Sequence, residues 1–363
     1  MPVRGQDDIS NQALALMRAG NFHDAEALWR QLEKSHPNDP SMHANLGVTL
    51  AQEGELDAAV TEYRKSLALD PGQPEAAFDL GVAEFKQGHF QQAIPAFKAA
   101  SKLKPGNERS TLLLGMSYYG LRQYSQAVAY LEGPSEKDPS NLALHNVLAQ
   151  SCLWSRKYEC AMREFKSILA VNPDAVQAHM LLAEALDGMD RTDDAIQELE
   201  NAAAIAPKEP VLHFELGYLY FKKEEDEKAR PELEREIENN PGYAQAYLYL
   251  GEIALRANDA VKAEALTLKA LQLQEDLRPG YFNLGRIYAD QHKNKEAITA
   301  FERAVKLDPS QPDAHYRLGR LYLQMGQKQM AEEEFARTRQ LHHKTEDSLI
   351  QKVSGKASAA PSQ

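Results

Sequence analysis

Residues 74–107 read PEAAFDLGVAEFKQGHFQQAIPAFKAASKLKPGN, and residues 278–311 read RPGYFNLGRIYADQHKNKEAITAFERAVKLDPSQ. The two stretches have the same length. They share Leu-Gly at positions 7 and 8, Ala at position 20, Phe at position 24 and Pro at position 32. They are two copies of one 34-residue unit, and a fixed period of this length predicts an array of identical supersecondary elements.

The same frame extends over almost the whole chain. Ten units follow each other without insertion or deletion, at residues 6–39, 40–73, 74–107, 108–141, 142–175, 176–209, 210–243, 244–277, 278–311 and 312–345. Residues 1–5 are then an N-terminal extension. The apolar spacing in residues 346–353 predicts a short capping helix, and the composition of residues 354–363 predicts a flexible tail.

Two positions of the unit accept only small residues. Position 8 is Ala13, Gly47, Gly81, Gly115, Ala149, Ala183, Gly217, Gly251, Gly285 and Gly319, and position 20 is Ala25, Ala59, Ala93, Ala127, Ala161, Ala195, Ala229, Ala263, Ala297 and Ala331. Longer side chains would push two close helix axes apart. We therefore expect positions 8 and 20 to face each other across a pair of helices.

Apolar and turn-forming residues divide each unit into two helices, called A and B here. Leu fills position 7 in nine units, and a large residue usually fills position 24, which predicts two amphipathic helices. Gly at position 15 in four units is suited to the left-handed residue that ends helix A. Pro at position 32 in eight units stops helix B.

This pattern resembles the signature of the tetratricopeptide repeat (TPR) family, and the resemblance covers residues 6–345. It implies an all-α fold, a right-handed superhelical α-solenoid of tandem helix-turn-helix hairpins. Pentatricopeptide RNA binders have a longer period, which would leave this frame within a few units. In unit four, Gly133 and Pro134 predict that helix B ends early. A hinge and a locally repacked turn are both open there.

Composition restricts the class of protein and of partner. The chain is 43% apolar and 26% charged, as in globular proteins, and its formal charge of −12 argues against nucleic acid. Neither a signal peptide nor an integral membrane segment is readable, so we expect a cytoplasmic protein, or a periplasmic or secreted one if an export signal was removed. Cys152 and Cys160 are too few for a disulfide scaffold and fit a reducing compartment, so we expect them unpaired.

No motif in the sequence predicts an enzyme. Five histidines share position 4, namely His43, His145, His179, His213 and His315. Neighbouring helices lie about 8–10 Å apart, whereas zinc ligands must come within about 2.1 Å of the ion, so we expect structural histidines. No phosphate-binding glycine loop and no HExxH occurs. The sequence therefore predicts no catalytic residues, no metal site and no cofactor.

The resemblance implies that positions 2, 5, 6, 9, 12 and 13 of helix A line a concave groove. Its expected peptide-contacting residues are Phe78, Phe85, Tyr119, Trp154, Phe214, Tyr218, Phe221, Tyr249, Phe282 and Tyr316. Some of them could instead pack against neighbouring A helices. Glu184, Asp187, Glu215 and Glu252 form an expected acidic zone, and Asn283, Arg286, Arg317 and Arg320 an expected anion or acidic-peptide contact. Asn283 and Arg317 match two places of the family's carboxylate clamp, and the other places do not match.

These features predict a non-catalytic scaffold or adaptor that binds peptide or helical segments of partner proteins. The alternative is a regulatory or targeting subunit of an enzyme complex, resembling repeat arrays fused to glycosyltransferases but lacking the catalytic half. Self-assembly is a third option. The partner and the oligomeric state are not specified, because the repeat consensus encodes packing.

Overall fold

The computed structural model describes the backbone of residues 3–354 and the side chains of residues 8–344. Every regular element in the described range is an α-helix, and there are twenty of them. The expected all-α fold of helical hairpins is therefore confirmed.

Each 34-residue unit contains one helical hairpin. The A helices are α1 (Val3–Arg18), α3 (Pro40–Glu53), α5 (Pro74–Lys86), α7 (Glu108–Gly120), α9 (Leu142–Trp154), α11 (Val176–Asp187), α13 (Leu212–Lys222), α15 (Ala244–Arg256), α17 (Arg278–Asp290) and α19 (Pro312–Gln324). The B helices are α2 (Phe22–Ser35), α4 (Leu56–Leu69), α6 (Phe90–Leu103), α8 (Tyr124–Lys137), α10 (Tyr158–Val171), α12 (Thr192–Ile205), α14 (Asp226–Asn239), α16 (Ala260–Leu273), α18 (Asn294–Leu307) and α20 (Lys328–Ser354).

The ends of the chain differ from the expectation. Helix α1 begins at Val3, so most of the expected N-terminal extension belongs to the first A helix. Residues 346–353 do not form a separate capping helix, because α20 continues through them without a break. Nine of the ten residues of the expected flexible tail, 355–363, lie outside the described residues.

The chain divides into two compact units, Met1–Ala195 and Ile196–Gln363, called the first and second unit below. Within each of them, helix A packs on helix B of its own hairpin, and helix B packs on the next helix A. Successive A helices also contact each other, as in α5 with α7 and α13 with α15, whereas no two described B helices make a comparable contact. The A helices therefore form the inner side of each unit.

The small residue at position 8 makes room for the side chain at position 24. A Cβ atom added to Gly81 would lie 2.6 Å from the ring of Phe97, and one added to Gly285 would lie 2.6 Å from the ring of Phe301. Both rings are fully buried. A Cβ added to Gly217 would also lie 3.2 Å from the carbonyl oxygen of Ala229, and one added to Gly251 would lie 3.4 Å from that of Ala263. Positions 8 and 20 therefore face each other there as expected, and the side chain at position 24, one turn further along helix B, fills the remaining space.

All ten A helices end through a left-handed residue at position 15. Gly20, Gly54, Gly88 and Gly326 have φ between 75° and 87° there. In the other six repeats, non-glycine residues take φ of 56° to 61° at the same position, namely Arg122, Arg156, Asp190, Glu224, Asn258 and His292. The hairpin geometry thus overrides a backbone preference at six turns.

Replacing Glu224 by Gly is expected to raise the free energy of unfolding by about 0.5 to 1 kcal/mol, because it removes the Cβ from a left-handed backbone. The matched control is Gly54→Ala, since a Cβ there meets nothing within 4 Å while φ is 87°. That variant should lose about 1 kcal/mol. Urea denaturation measures both, and a shift of the same sign in the two variants would refute the assignment.

Helix α8 does not end early. It runs from Tyr124 to Lys137 with Pro134 inside it. Proline disfavours a helical conformation of a preceding residue that carries a Cβ, and Gly133 has none. The buried hydroxyl of Ser135 lies 3.1 Å from Nδ1 of His145, which fixes the last turn. The early helix end from which a hinge was inferred is absent.

Cys152 and Cys160 are joined by a disulfide, so the expectation of unpaired thiols was wrong. They occupy positions 11 and 19, four residues on either side of the left-handed residue Arg156. The hairpin therefore brings their Cα atoms to 5.7 Å, within the usual range for a disulfide. The bond closes the turn between α9 and α10.

Candidate peptide-binding site

None of the ten predicted groove aromatics lies in the fully buried core. Trp154, Tyr218 and Tyr316 are exposed, at 45%, 36% and 46%, and the other seven are half-buried. The structure gathers most of them into two groups, one in each unit.

The second unit contains a five-ring group, the tyrosine cluster, made of Phe214, Tyr218, Phe221, Tyr243 and Tyr249. Ring centroids of Phe214 and Tyr249 lie 5.7 Å apart, those of Tyr218 and Tyr249 5.4 Å, and those of Phe221 and Tyr249 5.0 Å. Tyr243 lies 4.9 Å from Phe214. Sequence reasoning missed Tyr243 because it is at position 34, in the connection before α15.

Helical spacing explains how the tyrosine cluster forms. Phe214, Tyr218 and Phe221 are separated by four and three residues, so they lie on one face of α13, and Tyr249 meets them from α15. The opposite face of α13 supplies the core through the buried residues Leu212, His213, Leu216, Leu219 and Tyr220. The cluster is therefore additional to the core of its own hairpin.

The backbone at the N-terminus of α13 is hydrogen-bonded to a buried carboxylate. Glu236 is fully buried, and its two oxygens accept hydrogen bonds from the backbone N–H groups of Val211 (3.2 Å) and Phe214 (3.3 Å). Val211 is left-handed, with φ of 69°, and α13 begins two residues later in its repeat than the other A helices of the second unit. This contact fixes the start of the helix that carries three cluster rings.

The hydroxyls of Tyr243 and Tyr249 have a raised pKa. Burial raises the pKa of Tyr249, and the neighbouring Tyr218 raises it further. Burial also raises the pKa of Tyr243, with contributions from the carboxylates of Glu236 and Glu215. These hydroxyls can therefore donate hydrogen bonds to a ligand carbonyl at neutral pH.

The first unit contains a smaller group, the tryptophan cleft, lined by Tyr119, Gly120, Arg122, Tyr124 and Trp154. It is open to solvent and has a volume of about 630 Å³. The rings of Tyr119 and Trp154 stack at 6.1 Å, and Tyr124 lies 4.8 Å from Trp154. Tyr124 was not predicted, since it lies at position 17 and begins helix B.

Two predicted groove residues are largely structural. Phe78 packs on the buried ring of Phe97 at 5.9 Å, and the guanidinium of Arg109 covers it at 5.3 Å. Phe282 is covered in the same way, by a core ring at 5.6 Å and by an arginine at 5.6 Å. Phe85 packs on the ring of Phe90 in its own hairpin at 5.3 Å. Tyr316 has the largest exposed fraction of the ten predicted aromatics, 46%.

The predicted acidic and basic zones of the second unit are not separate. Arg286 Nη1 lies 2.8 and 3.0 Å from the two carboxylate oxygens of Glu252, and Asn283 is buried. Arg286 is therefore engaged internally, and Arg317 and Arg320 remain exposed on α19.

The other predicted acidic residues are divided between the two units. Burial raises the pKa of Glu184, and Asp187 accepts a hydrogen bond from Thr192 at 2.9 Å. Both belong to the first unit, whereas Glu215 lies on α13 of the second.

Four of the five histidines at position 4 connect consecutive repeats, whereas Nε2 of the fifth, His315, has no hydrogen-bond partner among the described residues. All five rings are buried. In His43, Nδ1 lies 2.7 Å from Glu62 and Nε2 lies 3.0 Å from the carbonyl oxygen of Pro37 in the preceding repeat. His145 and His213 make the same two kinds of contact. Both ring nitrogens of these three histidines therefore lie against acceptor atoms of the protein, and the rings contribute to packing.

Two groups of side chains have metal-ligating types within 4.8 Å of one another, His23 with Glu26 and Glu53, and Glu33 with His43 and Glu62. In the second group the ammonium of Lys65 lies 3.2 Å from Glu33 and 2.8 Å from Glu62, where a cation would sit. In the first, Glu26 is paired with Arg30. In each group, a basic side chain of the protein therefore already pairs with a carboxylate.

Asp79 has the most perturbed carboxyl group near a cleft. Burial raises its pKa to about 6, although Arg109 lowers it. The cleft has a volume of about 580 Å³, and its other carboxylates, Glu75 and Glu108, are paired with lysines at 3.2 and 2.5 Å. The cleft is lined by charged side chains and by the ring of Phe78, and such a surface is suited to binding a ligand.

Family models described as tetratricopeptide repeat match residues 10–74, 84–151, 155–213, 214–281 and 313–342, and one described as TPR repeat matches residues 285–326. The chain belongs to the tetratricopeptide repeat family. No curated protein sequence matches it. None of the described helices is both long and apolar enough to cross a bilayer.

Solved structures resemble the chain at low sequence identity. The APC/C hetero-tetramer Cut9–Hcn1 is 14% identical, with a TM-score of 0.52 over 93% of this chain and 87% of that chain. Yeast Tom70 is 14% identical, with a TM-score of 0.44 over 97% of each chain. YrrB, described as a TPR protein with an unusual peptide-binding site, is 19% identical, with a TM-score of 0.44 over 49% of this chain and 92% of that chain.

Proposed function

We propose that this tetratricopeptide repeat chain is a non-catalytic scaffold or adaptor that binds peptide or helical segments of partner proteins on the A-helix faces of its two units. The tyrosine cluster is the observation that carries the proposal. Five rings contact one another on the inner side of the second unit, and Tyr218 keeps 36% of its surface exposed.

The cluster has the properties of a protein-binding surface. Aromatic side chains dominate the energetics of such interfaces, because they offer large contact areas with few rotatable bonds. The cluster is not needed to fill the core of α13, and its tyrosines can donate to the free carbonyls of an extended peptide. Supported rings of this kind are ordered before binding, which lowers its entropic cost.

The exposed residues of the last repeat favour an acidic ligand segment at the C-terminal part of the second unit. Tyr316, Arg317, Arg320 and Leu323 are all exposed on α19, at positions 5, 6, 9 and 12. Arg317 and Arg320 are one turn apart and can pair with neighbouring carboxylates of a ligand. Arg286 is excluded from this role by its pairing with Glu252.

Selection of peptides from a random phage-displayed library against the whole chain tests the proposal. The double variant Tyr218→Ala/Tyr249→Ala is expected to weaken selected peptides at least tenfold, because each truncation removes a ring of the cluster. Val261→Ala is the matched control, since Val261 is 80% exposed on a B helix. Equal affinity of the double variant and the wild type, with unchanged circular dichroism, would contradict the proposal.

A further inference from the structure

The tryptophan cleft lies where the turns between helices A and B of repeats four and five meet. Its walls come from the end of α7, the start of α8 and the last residue of α9. Trp154 is one of two tryptophans in the chain, and the other, Trp29, is 1% exposed. The cleft thus differs from the rest of the first unit in presenting an indole to solvent.

The walls of the cleft are fixed before any ligand arrives. The hydroxyl of Tyr119 donates a hydrogen bond to Gln150 at 2.6 Å. A Cβ on Gly120 would lie 2.5 Å from the ring of Phe90, so only glycine fits under the cleft at this point. The disulfide between Cys152 and Cys160 closes the turn that carries Trp154. A ligand would therefore lose little binding energy to ordering this surface.

The two segments that carry the cleft residues, 119–124 and 154–159, are basic, although the chain carries −12 overall. Arg122 lines the cleft, and Arg156 and Lys157 follow Trp154 in the next turn. All three side chains are exposed, and none has an ion pair with the side chains that the structure describes. Glu159 is the one carboxylate in residues 119–124 and 154–159.

We propose that the tryptophan cleft anchors an acidic linear segment of a partner protein, which inserts an apolar side chain against Trp154 while its carboxylates pair with Arg122, Arg156 and Lys157. The inference rests on the proposed function, that the chain binds segments of other proteins, and it adds a second site with its own ligand charge.

Charge complementarity selects this occupant. Arg122 in the cleft wall and two exposed cations in the turn after Trp154 disfavour a basic segment, because like charges brought together without solvent are costly. A nucleic acid would also meet cations and stacking rings. Its many phosphates would be repelled by the rest of a chain of this net charge, whereas a short acidic segment touches only the cleft.

Trp154 itself provides the assay. In the Trp29→Phe variant of the full chain, it is the only source of indole emission. The probe is an acetylated peptide with one phenylalanine among acidic residues, EEDEFEDEE, and its control carries KKRKFKRKK. We expect saturable change in emission with the acidic peptide, at least tenfold weaker binding of the basic one, and weakening of the acidic complex as salt rises to about 0.5 M.

Variants separate the two parts of the site. With a labelled acidic peptide and anisotropy as readout, Trp154→Ala is expected to weaken binding at least tenfold, and so is Arg122→Glu/Arg156→Glu. Lys102→Glu/Lys166→Glu makes the same change of net charge at exposed positions of other helices and should retain most of the affinity. Circular dichroism and thermal unfolding verify that each variant folds.

Equal affinity for the two peptides, an unaffected Trp154→Ala variant, or tighter binding of a nine-nucleotide oligouridylate would overturn the inference. Retained binding of library-selected peptides to the tyrosine cluster in the same protein would then show that the proposed function stands and that only the cleft was misassigned. Loss of both kinds of binding would refute the proposed function as well.

Discussion

Gly81→Leu is expected to lower the free energy of unfolding by about 3 kcal/mol, because the hairpin of repeat three has no space for a side chain there. A Cβ at Gly81 would already lie 2.6 Å from Cδ1 and Cε1 of Phe97, and this ring is fully buried. The ring cannot move aside without displacing α5 from α6. Urea denaturation of the whole chain, monitored by circular dichroism, measures the loss.

Two comparisons test the cause of this loss. Gln92→Leu adds the same side chain to an exposed position of α6 and should change stability by less than about 0.5 kcal/mol. Adding Phe97→Ala to Gly81→Leu moves volume from one helix to the other and should recover part of the loss. Additive effects of Gly81→Leu and Phe97→Ala would show that the two positions do not share one space.

His145→Leu is expected to cost about 3 kcal/mol, because it removes the imidazole from a buried carboxylate and leaves that carboxylate with Ser135 and the exposed Arg163 alone. His145 Nδ1 lies 2.7 Å from Glu164, and the two side chains are 8% and 7% exposed. The ring also contacts the carbonyl oxygen of Pro139 at 3.2 Å, which connects repeats four and five. The loss should therefore reduce the cooperativity of unfolding between these repeats.

A double-mutant cycle distinguishes a buried pair from simple packing. Leucine at both His145 and Glu164 replaces two polar groups with apolar ones, so the double variant should be clearly more stable than His145→Leu alone. His23→Leu is the matched control, since His23 is exposed, and it should have little effect. A double variant as unstable as the sum of the two single variants would contradict the assignment of this pair.

The repeat frame predicts the fold because packing constraints recur every 34 residues. The frame does not predict which side chain fills the space beside a small residue. The columns at positions 8 and 20 both indicate close contact, but the direction of the ring at position 24 decides the neighbour of Gly81. The left-handed turn with Arg122 was also hidden, since arginine does not signal that conformation in a sequence as glycine does.

Some features of the site could have been found by comparing repeats with each other. Glu252 and Arg286 occupy position 9 of two consecutive repeats, and opposite charges at one position of neighbouring A helices indicate an ion pair. Cys152 and Cys160 flank position 15 symmetrically, which is the geometry that the disulfide needs. The sequence offered this signal, and cysteine count alone concealed it.

Other features depend on the three-dimensional packing alone. Tyr243 and Tyr124 lie outside helix A, in a connection and at the start of a helix B, so no list of groove positions includes them. They join their clusters through contacts of 4.9 Å with Phe214 and 4.8 Å with Trp154. Conversely, Phe78 occupies a groove position and is covered by Arg109. Exposure therefore has to be measured for each ring.

Covalent footprinting with and without a bound, library-selected peptide tests most directly where ligands contact the second unit. Carbene labelling followed by mass spectrometry reports the solvent access of individual side chains. We expect bound peptide to protect Tyr218 and Tyr249 and to leave Val261 and Leu268, exposed on the B helix α16, labelled as in the free chain. Protection of Val261 and Leu268 with unchanged labelling of the two tyrosines would contradict binding on the A-helix face.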